Sequence, residues 1–162
     1  LAVPHGDEVV EPLNRRIREF LDRGDVVVKT RDWHPAVTTH FAIYGGQWPV
    51  HCVQNTRGAE FHPDLIDDPR IKLISKDKPN ADEYSAFDHT NLAAMLRDEN
   101  LEEVWIGGLA TDYCVKHTAL AAINEGFNVT LIREAIRAVE LSPGDGDNAI
   151  HEMRAAGAAI EG

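Results

Sequence analysis

The chain has 162 residues, enough for one domain whose core needs neither a disulfide nor a metal to fold. Its 27 Asp and Glu residues outnumber its 16 Lys and Arg residues, which gives a net charge of −11. This charge repels the phosphates of nucleic acids and of anionic lipids, so neither a nucleic acid nor a membrane is an expected partner. No apolar run approaches the roughly 20 residues of a membrane span, and LAVPHGDEVV lacks the features of a secretory signal, which predicts a cytoplasmic protein.

The chain begins with a pattern that predicts a helix and then a strand. In EVVEPLNRRIREFLDRG (8–24) apolar residues recur at helical spacing, and Gly24 is typical of a helix C-terminal cap. The apolar face consists of Val9, Leu13, Ile17 and Leu21. The β-branched run DVVVKT (25–30) predicts a buried parallel strand whose carboxyl end meets the polar RDWHP. Functional residues collect at that edge of a parallel sheet.

A long irregular segment follows, residues 34–69. It is rich in Gly, Pro and Thr, and it is longer than the usual connection in a compact domain. Two aromatic residues, Phe41 and Trp48, and several histidines make it too apolar for a disordered segment. We therefore expect a loop that carries part of a functional site.

The second half of the chain alternates between strand and helix patterns. The predicted strands are IKLISK (71–76), EEVWIGGL (102–109) and NVTLIR (128–133). The predicted helices are DHTNLAAMLRDEN (88–100), with Leu92, Met95 and Leu96 inward, a helix that starts near Cys114 and stops at Gly126, and DNAIHEMRAAG (147–157), which leads to the short apolar AAI. Right-handed crossovers place helices on both faces of a parallel sheet, so the alternation predicts a three-layer α/β/α fold.

Cys114 lies at a predicted junction between a strand and a helix. The N–H groups and the positive dipole end of the helix would face the thiol, and together with a nearby cation they would favour the nucleophilic thiolate. Backbone N–H groups of the same turn could hold an oxyanion. The alternative is a small buried core residue, because free cysteines are often buried. A disulfide with Cys52 is not expected in a reducing cytosol.

Four potential metal ligands lie in and just before the long loop: Asp32, His34, His40 and His51. Side chains alternate along an extended chain, so Asp32 and His34 would lie on the same side. The mixed nitrogen and oxygen set suits Fe, Mn or Zn better than Ca or Mg. The alternative is that the loop histidines are simply exposed to solvent.

Several motifs occur together in a fixed order: TRDWHP, HF, WPVHCVQNTRGAEFHP, ISK followed by YSAF, and GGLATDYCVKHTALAAINEGF. In this order and spacing they resemble the nicotinamidase/pyrazinamidase branch of the isochorismatase-like cysteine hydrolases. The motifs are long, and the resemblance covers nearly the whole chain. It implies one isochorismatase-like domain over residues 1–162, built on a parallel sheet of about six strands between helices.

The resemblance also implies a catalytic centre. Cys114 matches the family nucleophile, and Lys76 matches the lysine that stabilises its thiolate, with Lys78 as a second candidate in SKDK. The bond between Leu109 and Ala110 matches the family's cis peptide bond. That bond turns the Ala110 N–H toward the oxyanion, beside the N–H of Cys114.

The four potential ligands, Asp32, His34, His40 and His51, match the family's ligands to one divalent metal ion, completed by water. Related amidases that act on other small amides typically lack this set, so the resemblance favours a pyridine substrate whose ring nitrogen meets the metal. Three aromatic residues match the walls of the family's substrate pocket: Trp48, Tyr84 and Tyr113.

The implied activity is hydrolysis of nicotinamide to nicotinic acid and ammonia through a cysteine thioester, with pyrazinamide as an alternative substrate. Two other functions stay open at this point. The chain could be a related amidase that acts on another small amide, or a catalytically silent metal-binding homologue. Members of the family are often oligomeric, which leaves a homo-oligomer as an option.

The sequence departs from the family in one respect. The family places a catalytic aspartate at the end of its first strand, in a VVDxQNDF-type motif, and the sequence begins with a segment that follows this motif. Asp7 and Glu8 match the start of the first helix and not the catalytic position. We expect the aspartate upstream of Leu1, because loss of the first strand would leave a central position of the sheet empty. The alternative is a truncated, inactive protein.

Overall fold

Four α-helices and five β-strands lie along residues 2–76 and 84–162, which are the residues described by a computed structural model of the chain. The helices are α1 (Val10–Arg23), α2 (Leu92–Asp98), α3 (Lys116–Asn124) and α4 (Asp145–Ala156). The strands are β1 (Val28–Asp32), β2 (Lys72–Lys76), β3 (Glu103–Leu109), β4 (Asn128–Arg137) and β5 (Ala159–Glu161). No helix in these two ranges combines the length and the apolar composition that crossing a lipid bilayer requires.

The strands pair in parallel throughout the described residues. β1 pairs with β2, and β3, β4 and β5 form a second sheet in that order. Parallel strands joined through helices confirm the predicted α/β class. The family resemblance implies about six strands in one sheet, whereas the described ranges contain five strands in two sheets, because no ladder joins β1 to β3.

Helix α1 lies within the predicted range 8–24. Gly24 ends it with a φ of 82°, a left-handed conformation that glycine adopts without steric cost, and the Gly24 N–H donates to the Leu21 carbonyl. The next N–H, that of Asp25, donates to the Phe20 carbonyl at 2.9 Å and completes the helix end. For this reason the first strand begins at Val28 and not at residue 25, and it extends to Asp32.

The first sheet brings two predicted site residues side by side. In the β1–β2 ladder Asp32 is the partner of Lys76, and each is the last residue of its strand. The carboxyl ends of parallel strands meet at one edge of the sheet, which is where ligands bind in open α/β folds. The residues of 34–69 leave this edge and contain two short 3₁₀ turns, at Ala42–Tyr44 and Arg57–Ala59, before β2 begins at Lys72.

The segment around Cys114 differs from the regular helix that was predicted. A π-helical turn, Thr111–Val115, precedes α3, and the Val115 N–H reaches back five residues to the Ala110 carbonyl at 3.0 Å. Sequence periodicity does not distinguish such a widened turn from an α-helix, because the apolar spacing of α3 is unchanged. Cys114 therefore lies on an irregular turn directly after β3.

The main core lies between the second sheet and the helices that pack on it. Ala119 of α3, Leu131 of β4 and Met153 of α4 are each 0% exposed. β4 is four residues longer than the predicted 128–133, because the ladder with β3 is interrupted after Ile106 and resumes between Gly108 and Ile136. The predicted apolar end AAI forms the edge strand β5.

Candidate active site

The ammonium group of Lys76 lies at the centre of the site, and only 4% of its side chain is exposed. Its Nζ is 2.6 Å from Asp32 Oδ1, 3.2 Å from Cys114 Sγ and 2.9 Å from the Tyr84 carbonyl oxygen. These three acceptors match the three N–H donors of an ammonium group. Burial lowers the pKa of Lys76, but the charge that Cys114 carries when ionised, the charge of Asp32 and the hydrogen bonds to both raise it further, so the net pKa lies above the ordinary value. Lys76 is therefore positively charged.

The Cys114 thiol lies beside this ammonium on the π-helical turn. Burial raises the pKa of Cys114, and the charge of Asp32 raises it too, while Lys76 and a hydrogen bond from the Ala110 backbone lower it. The net pKa lies above the ordinary thiol value. This corrects the expectation that the helix end and a cation would leave a thiolate, because the cost of burying the charge is larger. The thiol keeps its proton until an acceptor removes it.

The peptide bond between Leu109 and Ala110 is cis, at the position where the family resemblance implies one. The Ala110 carbonyl accepts the N–H groups of Tyr113, at 3.1 Å, and of Val115, at 3.0 Å. Its N–H points toward the Cys114 sulfur. A backbone N–H thus lies beside the nucleophile, where an oxyanion would form when a carbonyl is attacked.

Three of the four potential metal ligands form a cluster. One ring nitrogen of each of His34, His40 and His51 lies within 4.8 Å of the others. The His51 Nδ1 contacts the Pro49 carbonyl at 2.7 Å, where it donates, and its Nε2 is then left with a lone pair. His34 Nε2 is buried and has no hydrogen-bond partner among the described residues. A buried polar atom of this kind requires a partner, and a bound metal ion would supply one.

The charge states of the cluster suit a metal. Burial lowers the pKa of His34 to about 4, and burial also lowers that of His51, so both rings are neutral at pH 7, the form that binds metals. Asp32 lies next to the cluster, with Oδ2 3.9 Å from His34 Nε2 and Oδ1 paired with Lys76. Burial raises the pKa of Asp32, but Lys76 outweighs it, so the carboxylate is ionised. Three imidazoles and one carboxylate fit Zn, Fe or Mn.

An aromatic wall, which consists of Trp48, Tyr84 and Tyr113, adjoins both the Lys76–Cys114 pair and the histidine cluster. The ring centroids of Tyr113 lie 4.9 Å from Trp48 and 5.4 Å from Tyr84, and His40 lies 6.4 Å from each of these two rings. The Tyr84 hydroxyl accepts the Trp48 Nε1–H at 2.8 Å and the Gln47 side-chain N–H at 3.0 Å. The wall therefore connects the histidine cluster to the residue before the nucleophile.

The structure thus brings together all the predicted site residues that it describes, and Lys78 lies outside the described residues. Sequence reasoning missed Gln47, because a loop glutamine carries no pattern that distinguishes it from a solvated one. It also missed Asp112, which is buried on the π-helical turn. An acid two residues before a candidate nucleophile, between apolar segments, was the feature that could have identified it.

A family model described as the isochorismatase domain matches residues 1–161. The chain belongs to the isochorismatase family. Among its relatives is the nicotinamidase of Escherichia coli. The two sequences are 40% identical over an aligned length of 182 residues, gaps included, and the alignment covers 99% of this chain and 85% of that protein. These findings confirm the family that the motifs predicted.

Two solved structures extend the comparison to the fold. The pyrazinamidase of Pyrococcus horikoshii in complex with zinc has a TM-score of 0.93 and 44% identity, over 99% of this chain and 88% of that one. PnC1 of L. infantum in complex with nicotinate has a TM-score of 0.85 and 32% identity, over 99% of this chain and 82% of that one. Their similarity confirms the predicted α/β fold class.

Proposed function

We propose that the chain is an amidohydrolase that converts nicotinamide to nicotinic acid and ammonia through a thioester on Cys114. The observation that carries the proposal is the thiol of Cys114, 3.2 Å from the buried ammonium of Lys76 and next to an aromatic wall. Relatives that are named nicotinamidase and the L. infantum complex with nicotinate support the choice of a pyridine carboxamide.

The aromatic wall and the histidine cluster would bind the substrate together. A flat pyridine ring can stack on Trp48 and Tyr84, which gives apolar contact at little cost in conformational entropy. Asp32 and the three clustered histidines, His34, His40 and His51, would hold one divalent ion, and zinc in the P. horikoshii pyrazinamidase supports this assignment. When bound, such an ion would act as a Lewis acid that anchors and polarises the ring through its nitrogen.

The chain's own residues would carry the covalent steps. As the thiol proton leaves, Cys114 Sγ attacks the carboxamide carbon, and the N–H groups of Ala110 and Cys114 stabilise the oxyanion. Lys76 stabilises the developing thiolate by its charge. The family resemblance assigns the thiol proton to an aspartate carboxylate, which passes it to the leaving nitrogen, so that the C–N bond breaks and ammonia departs. Water then hydrolyses the C–S bond and releases the acid.

Turnover of nicotinamide tests the proposal directly. Purified protein should release equal amounts of nicotinic acid, measured by chromatography, and ammonia. Cys114→Ala should abolish both products, while Cys52→Ser, the control at the other free cysteine, should keep activity. A Cys114→Ala protein with more than a few per cent of activity would exclude the nucleophile role. Faster hydrolysis of an aliphatic amide than of nicotinamide or pyrazinamide would identify a different amidase of the family.

The same chemistry favours a location in the cytoplasm. Both cysteines are free in the structure, and a thiol nucleophile keeps its reactivity in a reducing compartment. An assembly of identical chains stays a prediction from the family resemblance. Size-exclusion chromatography with light scattering would give the number of chains.

A further inference from the structure

Asp112 is a buried carboxylate two residues before the nucleophile, with 7% of the residue exposed. Its Oδ1 accepts the Val139 N–H at 2.9 Å, and its Oδ2 accepts the Glu140 N–H at 3.0 Å. Among the described residues no cation forms an ion pair with it. Burying a charge is costly, and it is tolerated only where hydrogen bonds hold the group. Both carboxylate oxygens are therefore committed to the backbone that follows β4.

The second residue of this contact extends the connection to α4. Glu140 has a φ of 56°, and its own carboxylate accepts the N–H groups of Gly144, at 2.8 Å, and of Gly146, at 2.7 Å. Gly146 leaves no room for a side chain, because an added Cβ would lie 2.7 Å from Glu140 Oε1. Two carboxylates in series thus connect the π-helical turn to the end of β4 and to the start of α4.

The π-helical turn needs such a support. A π-helix is rare and occurs mostly as single turns at functional sites. The nucleophile stands on this turn after β3, whereas its partner Lys76 belongs to β2 of the other sheet. The distance of 3.2 Å between the two side chains therefore depends on how the turn is held. Among the described residues Asp112 is the side chain of the turn that bonds it to the β4–α4 connection.

We propose that Asp112 is a positioning residue: it fixes the π-helical turn so that Cys114 Sγ faces Lys76 and the aromatic wall. Both oxygens of Asp112 accept backbone N–H groups, of Val139 and Glu140, so Asp112 acts through the backbone of the turn. Its effect on turnover depends on the proposed function, but its effect on the thiol does not.

The test compares Asp112→Asn with Asp145→Asn. The first change turns one acceptor oxygen into an NH₂ group that faces a backbone N–H, so one of the two hydrogen bonds is lost. Asp145, the first residue of α4, is the control, because its Oδ2 accepts the Ser142 N–H at 2.8 Å and, among the described residues, its side chain forms no hydrogen bond with the turn. The measurements are kcat and KM for nicotinamide, thermal stability, and the rate of iodoacetamide alkylation at Cys114 as a function of pH.

We expect kcat of Asp112→Asn to fall roughly tenfold or more, because a displacement on the order of 1 Å at a reacting atom has effects of this size. KM should change less than kcat, since Trp48 and Tyr84 of the aromatic wall lie outside the turn. The rate of alkylation at Cys114 should fall, and the pH at which this rate reaches half of its maximum should shift. Cys52 should react as it does in the parent. Asp145→Asn should leave all of these values within about twofold of the parent.

A folded Asp112→Asn protein with the kcat and the Cys114 alkylation profile of the parent would overturn the proposal, whatever its loss of thermal stability. If the parent protein does not hydrolyse nicotinamide, the proposed function fails, and the alkylation profiles still decide the role of Asp112. Asp112→Glu keeps both acceptors on a longer side chain; it gives the same comparison if the asparagine variant does not fold.

Discussion

Lys76 Nζ lies 3.2 Å from Cys114 Sγ, although the two residues are 38 positions apart, and Lys76 ends β2 of one sheet while Cys114 follows β3 of the other. The same ammonium is paired with Asp32 at 2.6 Å. One buried cation thus joins the candidate nucleophile to the carboxylate that borders the histidine cluster. Changes to this cation should affect both chemistry and stability.

Lys76→Met keeps the side-chain volume but removes the charge. We expect kcat/KM to fall by on the order of 100-fold, and we expect a loss of stability of roughly 3–5 kcal/mol, because Asp32 is left as an unpaired, largely buried charge. Steady-state kinetics and urea unfolding measure the two effects. Lys72→Met on the same strand is the control: Lys72 forms an exposed ion pair with Glu99 at 2.5 Å, so the change should cost at most about 1 kcal/mol and no activity.

Removal of one imidazole should release the metal without disturbing the thiol. His51→Ala should lower the affinity for Zn²⁺ at least about tenfold, because one ligand is lost from the set of donors. Metal content by mass spectrometry and the zinc-dependent rise in melting temperature measure this change. His62→Ala, a histidine of the same loop outside the cluster, should bind zinc as the parent does. Equal zinc binding by both variants would contradict the assignment of His51.

Tyr84→Phe should weaken substrate binding more than it slows the chemistry. The change deletes the hydroxyl that accepts the Trp48 and Gln47 N–H groups, and it leaves the buried indole N–H unpaired at a cost of about 1–3 kcal/mol. We expect KM for nicotinamide to rise about tenfold, with a smaller change in kcat. Tyr44→Phe, at an exposed tyrosine of the long loop, should change neither constant.

The reactivity of the two thiols should depend differently on Lys76. Burial raises the pKa of Cys52 to about 11 and also raises that of Cys114; the charge of Lys76 opposes both shifts, but its hydrogen bond acts on Cys114 alone. Iodoacetamide should therefore alkylate Cys114 first, with a rate that increases as pH rises above the ordinary thiol pKa of about 8.5. Lys76→Met should reduce this preference. Peptide mapping of partly labelled protein gives both rates, and equal labelling of the two cysteines in the parent would contradict activation by Lys76.

The sequence predicted the parts of the site that follow from strand geometry. The polar residues after DVVVKT were expected at the carboxyl edge of a parallel sheet, and the β1–β2 ladder places Asp32 beside Lys76 there. Loop histidines gave only a list of potential ligands. Their convergence within 4.8 Å depends on the packing of the long loop, which no periodicity encodes.

Other features could not be predicted because they depend on tertiary contacts. The π-helical turn carries the same apolar spacing as a regular helix, and its shape is fixed by hydrogen bonds of Asp112 to residues 139 and 140. The predicted strand ends at the exposed Arg133, but β4 continues through the exposed Glu134 to Ala135 and Ile136, which are buried. The exposure of side chains thus changes along a single strand, and composition alone does not reveal such a change.

The enclosure of Lys76 also governs how the protein can be handled. A side chain that is 4% exposed and whose three N–H donors are all occupied is a poor target for amine-reactive reagents. Lys72, whose side chain is 37% exposed, would be acylated long before it. The protein can thus be immobilised or coupled to a dye through its outer amines while the catalytic centre remains intact.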